Sequence, residues 1–326
     1  MPLPKIEPPL INSSNPWATT AEDLQRLFDC EDTGAVTIRT SLLHGFEHDD
    51  SIHQYTFFSP QDHTLKSGSV GAETPEEFSA SLNTLGYSPI PLDTYLSIIK
   101  QVVANSGLPQ DKLASKPFII SVTGSTAAVK ECYEKIQAVQ STMSNPLCME
   151  INLSCPNIVG KPPPAYSGTS LVQYIQALPP AHDRQIPIGI KTPPYTYYDQ
   201  FQTLINALDD CKQHLVDFIT ATNTLGSSLV LADSRSVTPA ISSASGDGIG
   251  GMAGTPLHPL ALGNVRTIRA MLDRHENLKS IEIIGIGGVS DAAGFDRMRT
   301  VGAKIVGIGT AFGREGVSVF AKIIRR

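Results

Sequence analysis

The feature that most constrains the fold of this chain is a repeated alternation of short apolar, β-branched runs with longer amphipathic stretches. Such alternation is typical of a parallel sheet, because parallel strands need long crossover connections that are usually helical. A weaker run at residues 80–85 is expected to supply an eighth strand. The seven clear runs lie at residues 35–39, 117–122, 149–153, 186–191, 218–223, 281–285 and 304–309.

The stretches between these runs carry helix signals. Thr19 and Glu22 have the spacing of a capping box, in which a hydroxyl at the helix start and an acidic side chain three residues later satisfy backbone N–H groups. This spacing predicts a helix whose apolar face includes Leu24. Residues 127–142 and 169–178 also keep helical periodicity.

Eight strand–helix units are the number that closes a (β/α)8 barrel, the TIM-barrel architecture of the α/β class. A chain of 326 residues is long enough for one barrel. Residues 1–326 are therefore predicted to form a single domain with its active site at the C-terminal ends of the strands. The main alternative is a doubly wound open sheet, which usually has a glycine-rich phosphate loop after its first strand. The glycine-rich turns of this chain come late, which favours the barrel.

Charge and cysteine content exclude several classes of function. A formal net charge of −6, without a lysine or arginine cluster, gives no electrostatic footprint for nucleic acid. The N-terminal residues contain no apolar run long enough for a signal peptide or a membrane anchor. Five cysteines, an odd number without C-x-x-C spacing, indicate neither a disulfide framework nor a metal site. We therefore expect reduced thiols and a cytoplasmic protein.

Two strand ends carry side chains suited to catalysis. One apolar run passes directly into Asn152, Cys155 and Asn157. A free cysteine is usually a small buried hydrophobe, and the other four cysteines are assigned that structural role. Cys155 instead lies at a strand end, where barrel enzymes place their reactive groups. Lys191 also ends a strand, where a lysine either extends to water or meets an anion; a barrel mouth with an anionic cofactor favours the anion.

Two late glycine-rich turns indicate a phosphate site. Residues 285–288 (Gly-Ile-Gly-Gly) and 307–310 (Gly-Ile-Gly-Thr) follow the last two strands. Barrel enzymes commonly hold phosphate with the loops after strands seven and eight, and glycine lets backbone N–H groups approach phosphate oxygens. The long segment 224–256, rich in Gly, Ser and Ala, is predicted to form a lid or a ligand-binding wall.

The string Asn-Leu-Ser-Cys-Pro-Asn at residues 152–157 resembles the active-site motif of class 1 dihydroorotate dehydrogenases. Residues 160–162 (Gly-Lys-Pro) and 165–166 (Ala-Tyr) resemble the soluble, homodimeric, fumarate-reducing class 1A branch. The resemblance is dense from Cys148 onward and sparse before Lys116. It implies an FMN-binding barrel that oxidises dihydroorotate to orotate in pyrimidine biosynthesis and passes the electrons to fumarate.

The resemblance also implies roles for individual residues. Cys155 corresponds to the base that removes a proton from substrate C5 while C6 delivers hydride to flavin N5. Lys191 corresponds to a lysine beside the flavin, where a fixed positive charge favours the anionic reduced cofactor. Substrate-binding positions, where amides suit a ring with alternating N–H and C=O groups, fall on Asn83, Asn152, Asn157, Asn223 and Thr224. Cofactor-binding positions fall on Ser14, Thr40, Ser121, Asn152, Lys191, Gly250, Gly251, Gly287, Gly288, Gly309 and Thr310, the last four forming the phosphate cradle.

The first half of the chain departs from the family pattern. Arg39 stands where the family usually has a lysine near the substrate carboxylate, and arginine is a planar fork that pairs bidentately with carboxylates. Asn15 and Pro16 lie in the first loop, where the family usually has a glycine. Tyr87, in the loop that follows residue 83, also differs from the residue usual in the family. These changes leave open a diverged FMN enzyme that acts on another cyclic dihydro-substrate or an enone. A non-redox phosphate-binding barrel with an inert Cys155 is a further alternative.

Overall fold

The computed structural model describes residues 2–66, 74–158, 160 and 162–325. Lys161, part of the class 1A resemblance, lies outside the described residues. The strands are β1 Leu10–Asn12, β2 Val36–Thr37, β3 Tyr55–Phe58, β4 Ala80–Asn83, β5 Phe118–Val122, β6 Leu147–Asn152, β7 Ile188–Thr192, β8 Phe218–Ala221, β9 Leu225–Ser228, β10 Gly250–Gly254, β11 Glu282–Ile286 and β12 Ile305–Ile308. The α-helices are α1 Ala21–Asp29, α2 Leu92–Asn105, α3 Gln110–Ser115, α4 Thr126–Gln140, α5 Gly168–Gln176, α6 Tyr198–Asp210, α7 His258–Leu272, α8 Ala292–Thr300, α9 Thr310–Glu315 and α10 Ser318–Ile324.

Eight strands form a parallel sheet in the order β1-β12-β11-β8-β7-β6-β5-β2, and every pairing in it is parallel. The strands alternate with helices and nearly close into a barrel, which confirms the predicted (β/α)8 fold. All seven clear apolar runs overlap a barrel strand.

The prediction of the eighth strand was wrong. The barrel takes Leu10–Asn12 as its remaining strand, whereas Ala80–Asn83 pairs antiparallel with β3 and β10 in a separate four-stranded sheet. Only three residues long and fully buried, β1 is too short to show a period. The four-stranded sheet, in the order β3-β4-β10-β9, includes two strands of the segment predicted to form a wall.

The seam between β1 and β2 is closed by a side chain as well as by the backbone. The N–H of Gly34 donates to the carbonyl oxygen of Leu10 at 2.9 Å. The Asn12 amide donates to the carbonyl oxygen of Thr37 at 2.6 Å and accepts from the Thr37 N–H at 2.9 Å. Asn12 thus supplies both hydrogen bonds that a paired strand residue would supply.

The barrel interior changes from apolar to polar along the strands. Ile119, Cys148 and Phe218 belong to a buried apolar cluster, and the Phe218 ring lies where a Cβ on Gly189 would be, 2.3 Å away. Farther along the strands toward their C-terminal ends, buried side chains are polar: Ser121, Glu150, Asn152 and Lys191. The apolar part stabilises the barrel, and the polar part is available for a site.

The first helix begins one residue later than predicted. Thr20, not Thr19, is the N-cap, and Asp23, not Glu22, completes the capping box. The Asp23 carboxylate accepts the Thr20 N–H at 3.0 Å. The sequence contains two overlapping pairs with capping-box spacing, Thr19 with Glu22 and Thr20 with Asp23. The helix uses the second pair, and in this position it buries Leu24. No helix among the described residues is both long and apolar enough to cross a membrane.

Candidate active site

A cavity of about 1000 Å³, its open mouth included, lies at the C-terminal ends of the barrel strands. Both sheets contribute to its walls, since β4 and β10 of the four-stranded sheet supply Ser81, Asn83, Ala253 and Gly254. The cavity therefore lies where a (β/α)8 barrel places its active site.

Fourteen of the predicted site residues line this cavity, and three do not. The three are Ser121, one hydrogen bond behind Thr40, and Gly250 and Gly251, packed against Asn83 and Thr224. The lining residues are Ser14, Arg39, Thr40, Asn83, Asn152, Cys155, Asn157, Lys191, Asn223, Thr224, Gly287, Gly288, Gly309 and Thr310.

Cys155 follows β6 and faces the cavity, half-buried. Burial raises the pKa of its thiol, while the backbone N–H of Asn157, the positive charge of Lys191, the Tyr87 hydroxyl and the positive charge of Arg39 act in the opposite direction. None of the other four cysteines lines the cavity. Cys132, Cys148 and Cys211 are buried. Cys30 is half-buried near Lys116, whose ammonium donates to the carbonyl oxygen of Phe28 in α1. Cys155 is thus the thiol whose ionisation the site can support.

Two cations face the cavity, and no carboxylate does among the described lining residues. Lys191 is 3% exposed, and its ammonium has no hydrogen bond or ion pair to the described part of the chain. Arg39 is 9% exposed and donates only to the carbonyl oxygen of Gly86, at 3.3 Å. Burial lowers the pKa of Arg39. Buried cations without partners are costly, so this cavity is built for an anionic ligand.

The side chain of Ser154 and the backbone of Thr224 fix the amides of Asn152, at the end of β6, and Asn223, just after β8. The Ser154 hydroxyl donates to Asn152 Oδ1 at 2.9 Å and accepts from Asn223 Nδ2 at 3.0 Å. The backbone N–H of Thr224 donates a hydrogen bond to Asn223 Oδ1 at 2.9 Å. Because each amide oxygen has a donor, the orientations of both amides are set before any ligand arrives.

A second amide pair leaves one acceptor unused. Asn157 Nδ2 donates to Asn83 Oδ1 and to the carbonyl oxygen of Leu85, both at 2.9 Å. Asn83 Nδ2 donates to the carbonyl oxygen of Gly251 at 3.0 Å. Asn157 Oδ1 is buried and has no partner among the described residues. A buried acceptor without a donor is costly, and a ligand N–H would satisfy it.

A chain of hydroxyls leads from the cavity to Glu150, which the sequence analysis did not assign to the site. The Ser121 hydroxyl donates to Glu150 Oε1 at 2.7 Å, and Ser121 contacts the Thr40 hydroxyl at 2.9 Å. Thr40 in turn contacts the Ser14 hydroxyl at 3.0 Å and accepts from Asn152 Nδ2 at 3.0 Å. Because Ser121 has one proton, and that proton goes to Glu150, the Thr40 hydroxyl donates to Ser121.

The glycine-rich turns form the narrow end of the site. Gly287 and Gly288 have φ values of +142° and +67°, and a Cβ on Gly288 would lie 2.6 Å from the carbonyl oxygen of Gly254. A smaller cavity of about 260 Å³ shares Gly288, Gly309 and Thr310 with the large one. Arg314 lines it, is 2% exposed, and has a buried Nε without a partner in the described chain.

His258 supports this turn from behind. Its Nδ1 lies 2.7 Å from the carbonyl oxygen of Gly287, and its Nε2 accepts from Arg297 Nε at 3.1 Å. A neutral imidazole that donates from Nδ1 and accepts at Nε2 satisfies both contacts. Burial, together with the Arg297 charge, lowers the pKa of His258 and favours this neutral form.

An aromatic wall joins Trp17, which the sequence places in the altered first loop, to Tyr55 and Phe57, which the sequence did not point to. Trp17 stacks on Phe57 with a centroid distance of 5.5 Å, and its indole N–H donates to the Tyr55 hydroxyl at 3.3 Å. The Trp17 ring also covers Gly313, where a Cβ would lie 2.4 Å from the ring. Trp17 and Tyr55 both line the cavity. The only signal for Tyr55 and Phe57 was the aromatic run Tyr55–Phe58, which is too short to assign to a site.

Comparisons with known proteins agree on one family. A family model described as dihydroorotate dehydrogenase matches residues 66–326. A Trypanosoma brucei brucei protein named dihydroorotate dehydrogenase (fumarate) is 28% identical over 320 residues, covering 97% of this chain and 87% of that protein. A Lactococcus lactis subsp. lactis protein named dihydroorotate dehydrogenase A (fumarate) is 28% identical over 317 residues, covering 97% of this chain and 88% of that protein. A crystal structure of a ligand-free DHODH from Eimeria tenella has a TM-score of 0.68 at 16% identity, covering 97% of this chain and 82% of that one, and is similar in fold.

Proposed function

The chain belongs to the dihydroorotate dehydrogenase family, whose members are oxidoreductases acting on CH–CH bonds, and from this premise we propose its reaction. It oxidises dihydroorotate to orotate, with FMN as its cofactor and fumarate as the electron acceptor. The observation that carries this proposal is the presence of Cys155, Lys191 and Arg39 in one cavity without a carboxylate among its described lining residues.

The residues present fit FMN. The turn at Gly287 and Gly288 admits no Cβ, and with Gly309 and Thr310 it would hold the phosphate through backbone N–H groups. Arg314 lines the same end; its guanidinium pairs with Glu315, and its Nε is buried without a partner in the described chain. Lys191 would place a positive charge where negative charge develops on reduction. Bound FMN supplies the two-electron oxidant of the reaction.

The other end of the cavity suits the substrate. Arg39 has free donors for the substrate carboxylate, and arginine binds carboxylates bidentately. The unused Asn157 Oδ1 accepts a ring N–H. Asn83, Asn223 and Thr224 border the same space. These groups fix the ring in one orientation, which is the positioning that oxidation between two ring carbons requires.

Cys155 acts as the general base in this proposal. Its Sγ accepts the proton from C5 of dihydroorotate as the C5–C6 double bond forms. Because burial raises the pKa of the thiol, the charges of Lys191 and Arg39 are needed to bring the thiolate within reach. The preset amides Asn152 and Asn223 hold the ligand while this proton moves.

Anaerobic mixing of the purified FMN-loaded protein with dihydroorotate tests the proposal. Flavin absorbance near the usual band at about 450 nm should bleach rapidly, and fumarate should restore it. A protein that remains oxidised with dihydroorotate but bleaches with dithionite would contradict the proposed substrate. A protein that binds no flavin would contradict the proposed cofactor. Light scattering of the same sample tests the homodimer that we also propose.

A second candidate function is oxidation or reduction of a different cyclic substrate by the same residues. Four residues that depart from the family pattern, Asn15, Pro16, Arg39 and Tyr87, all line the cavity. Substitutions concentrated on a ligand-facing wall change which ligand fits rather than which cofactor binds. Bleaching by a cyclic dihydro-compound but not by dihydroorotate would favour this candidate.

A further inference from the structure

Glu150 is a buried carboxylate at the inner end of the hydroxyl chain that begins at the cavity. It is 2% exposed and forms no ion pair with any described residue. It lies opposite Ser121 in the pairing of β6 with β5, and the Ser121 hydroxyl donates to Glu150 Oε1 at 2.7 Å. A buried charge without an ion pair is costly, so Glu150 does more than fill space in the barrel.

The Glu150 carboxylate sets the direction of every hydrogen bond in this chain. A carboxylate has no proton to donate, so the Ser121 proton points to Glu150. The Thr40 proton must then go to Ser121, at 2.9 Å. Thr40 Oγ1 can otherwise only accept, and it accepts from Ser14 Oγ and Asn152 Nδ2, both at 3.0 Å. All three hydroxyl protons therefore point along the chain toward Glu150, away from the cavity.

This direction leaves two groups open to a ligand. Ser14 Oγ donates to Thr40 and accepts the Thr40 N–H at 2.8 Å, so one acceptor position of the hydroxyl remains. Asn152 Oδ1 accepts from the N–H and the hydroxyl of Ser154, and one Nδ2 proton goes to Thr40, so the second Nδ2 proton remains. Both side chains line the cavity. The wall thus offers a ligand one acceptor and one donor.

Without the carboxylate, the same chain would run in the opposite direction. Thr40 would be the remaining acceptor for Ser121 among the described contacts. The Thr40 proton would then turn to Ser14, and the Ser14 proton would turn into the cavity. The Asn152 amide would still donate to Thr40. The presence of Glu150 therefore decides whether Ser14 offers a ligand an acceptor or a donor.

We propose that Glu150 is a positioning residue that holds the Ser14 hydroxyl as an acceptor next to the Asn152 amide donor, both joined to Thr40. This pair binds a ligand edge on which an N–H lies beside a C=O. The rings of FMN and of dihydroorotate both present such an edge. The inference rests on the proposed function and adds to it a residue that acts on the ligand through others.

Titration of the apoprotein with FMN, followed by flavin fluorescence, tests this role without turnover. Glu150→Met removes the acceptor at nearly the same length, and replacing a buried charged group by an apolar one of similar volume is often neutral for stability. If the edge belongs to FMN, affinity should fall about tenfold, because the Ser14 proton then meets a ligand N–H. Glu150→Gln is the matched control, since its amide oxygen still accepts from Ser121. Its affinity should fall only about twofold, because the amide permits both directions of the chain and half of the population keeps the original one.

A double-mutant cycle with Ser14→Ala separates this role from a structural one. Because Glu150 acts on the ligand through the Ser14 hydroxyl, Glu150→Met should cause no further loss of affinity in Ser14→Ala protein. A general distortion of the site would instead weaken binding in both backgrounds. Calorimetric titration of the FMN-loaded variants with orotate distinguishes the two rings. A loss confined to FMN assigns the pair to the cofactor, and a loss confined to orotate assigns it to the substrate.

Three results would overturn the role of Glu150. They are unchanged affinity of Glu150→Met for both ligands, an equal loss in Glu150→Gln, and a loss of the same size in the Ser14→Ala background. Failure of the proposed function appears separately, as a wild-type protein that dihydroorotate does not bleach, because none of the titrations depends on that reaction.

Discussion

The side chain of Asn12 forms both hydrogen bonds that join β1 to the backbone of Thr37, at 2.6 Å and 2.9 Å. Asn12 is fully buried, and it immediately precedes Ser13 and Ser14 at the cavity. At the end of the barrel seam that lies next to the site, β1 is therefore joined to β2 through one amide. This relationship explains how two short strands, β1 with three residues and β2 with two, are joined in the barrel.

Asn12→Ala should lower the free energy of unfolding by about 2–4 kcal/mol, because it leaves a buried N–H and a buried C=O of Thr37 unsatisfied. Urea unfolding measures the change. Asn206→Ala, on the exposed face of α6, is the control and should change stability by less than about 0.5 kcal/mol. Equal unfolding midpoints for the two variants would show that the seam does not depend on this amide.

Cys155→Ser should keep FMN but slow flavin reduction by about 10²-fold or more, because an unactivated hydroxyl is a far poorer base than a thiolate. In the wild-type protein the rate should rise with pH, since burial raises the pKa of Cys155 above its ordinary value near 8.5 and only the ionised form accepts a proton. Stopped-flow absorbance measures both effects. Cys30→Ser, outside the cavity, should behave as wild type. A rate independent of pH would argue against a thiol base.

Lys191→Met should weaken FMN binding by about tenfold or more and slow flavin reduction, because it removes an unpaired buried cation without changing side-chain length much. Fluorescence titration of the apoprotein measures the affinity. Lys135→Met is the control, since Lys135 pairs with Asp93 at 3.0 Å on the helical surface. Wild-type affinity and rate in Lys191→Met would mean that the lysine is structural.

His258 should make the glycine turn sensitive to acid. Burial lowers the pKa of His258 in the folded protein, so its contribution to stability is present above the unfolded value of about 6.5 and is lost as pH falls through the folded pKa. Protonation removes the acceptor for Arg297. His258→Gln should be less stable than wild type at pH 8, with a gap in melting temperature that narrows below pH 6. The gap for His182→Gln, an exposed histidine, should not change with pH.

The sequence predicted the barrel and many of the residues that line the cavity because both follow strong local patterns. Long apolar runs such as Phe118–Val122 indicate buried parallel strands on their own. Cys155 and Lys191 could be found because each directly ends such a run, and a barrel brings all strand ends together. The resemblance to the family, at residues 152–157 and at Lys191, then implied a role for each of them.

Residues that act over long sequence separations could not be predicted in this way. Glu150 reads as an ordinary strand residue until Ser121 and Thr40 are placed beside it. Arg314 is similar, because its local sequence indicates a helix and only the fold places it in the smaller cavity. The strand at Leu10–Asn12 was missed since its pairing partners are about three hundred residues away in β12.

Arg39 provides the test that separates the two candidate functions. Among the described residues that line the cavity, Arg39 and Lys191 are the two cations, and Arg39→Leu removes one of them. The KM for dihydroorotate should rise about tenfold to a hundredfold, because the substrate carboxylate loses a hydrogen-bonded charge pair. Arg39→Lys should recover part of this loss, because lysine keeps the charge but not the bidentate fork. Dihydrouracil, which has the same ring without the carboxylate, serves as the control substrate and should be turned over equally poorly by all three proteins. An Arg39→Leu variant with an unchanged KM for dihydroorotate would mean that the arginine binds a different group, and would favour a substrate other than dihydroorotate.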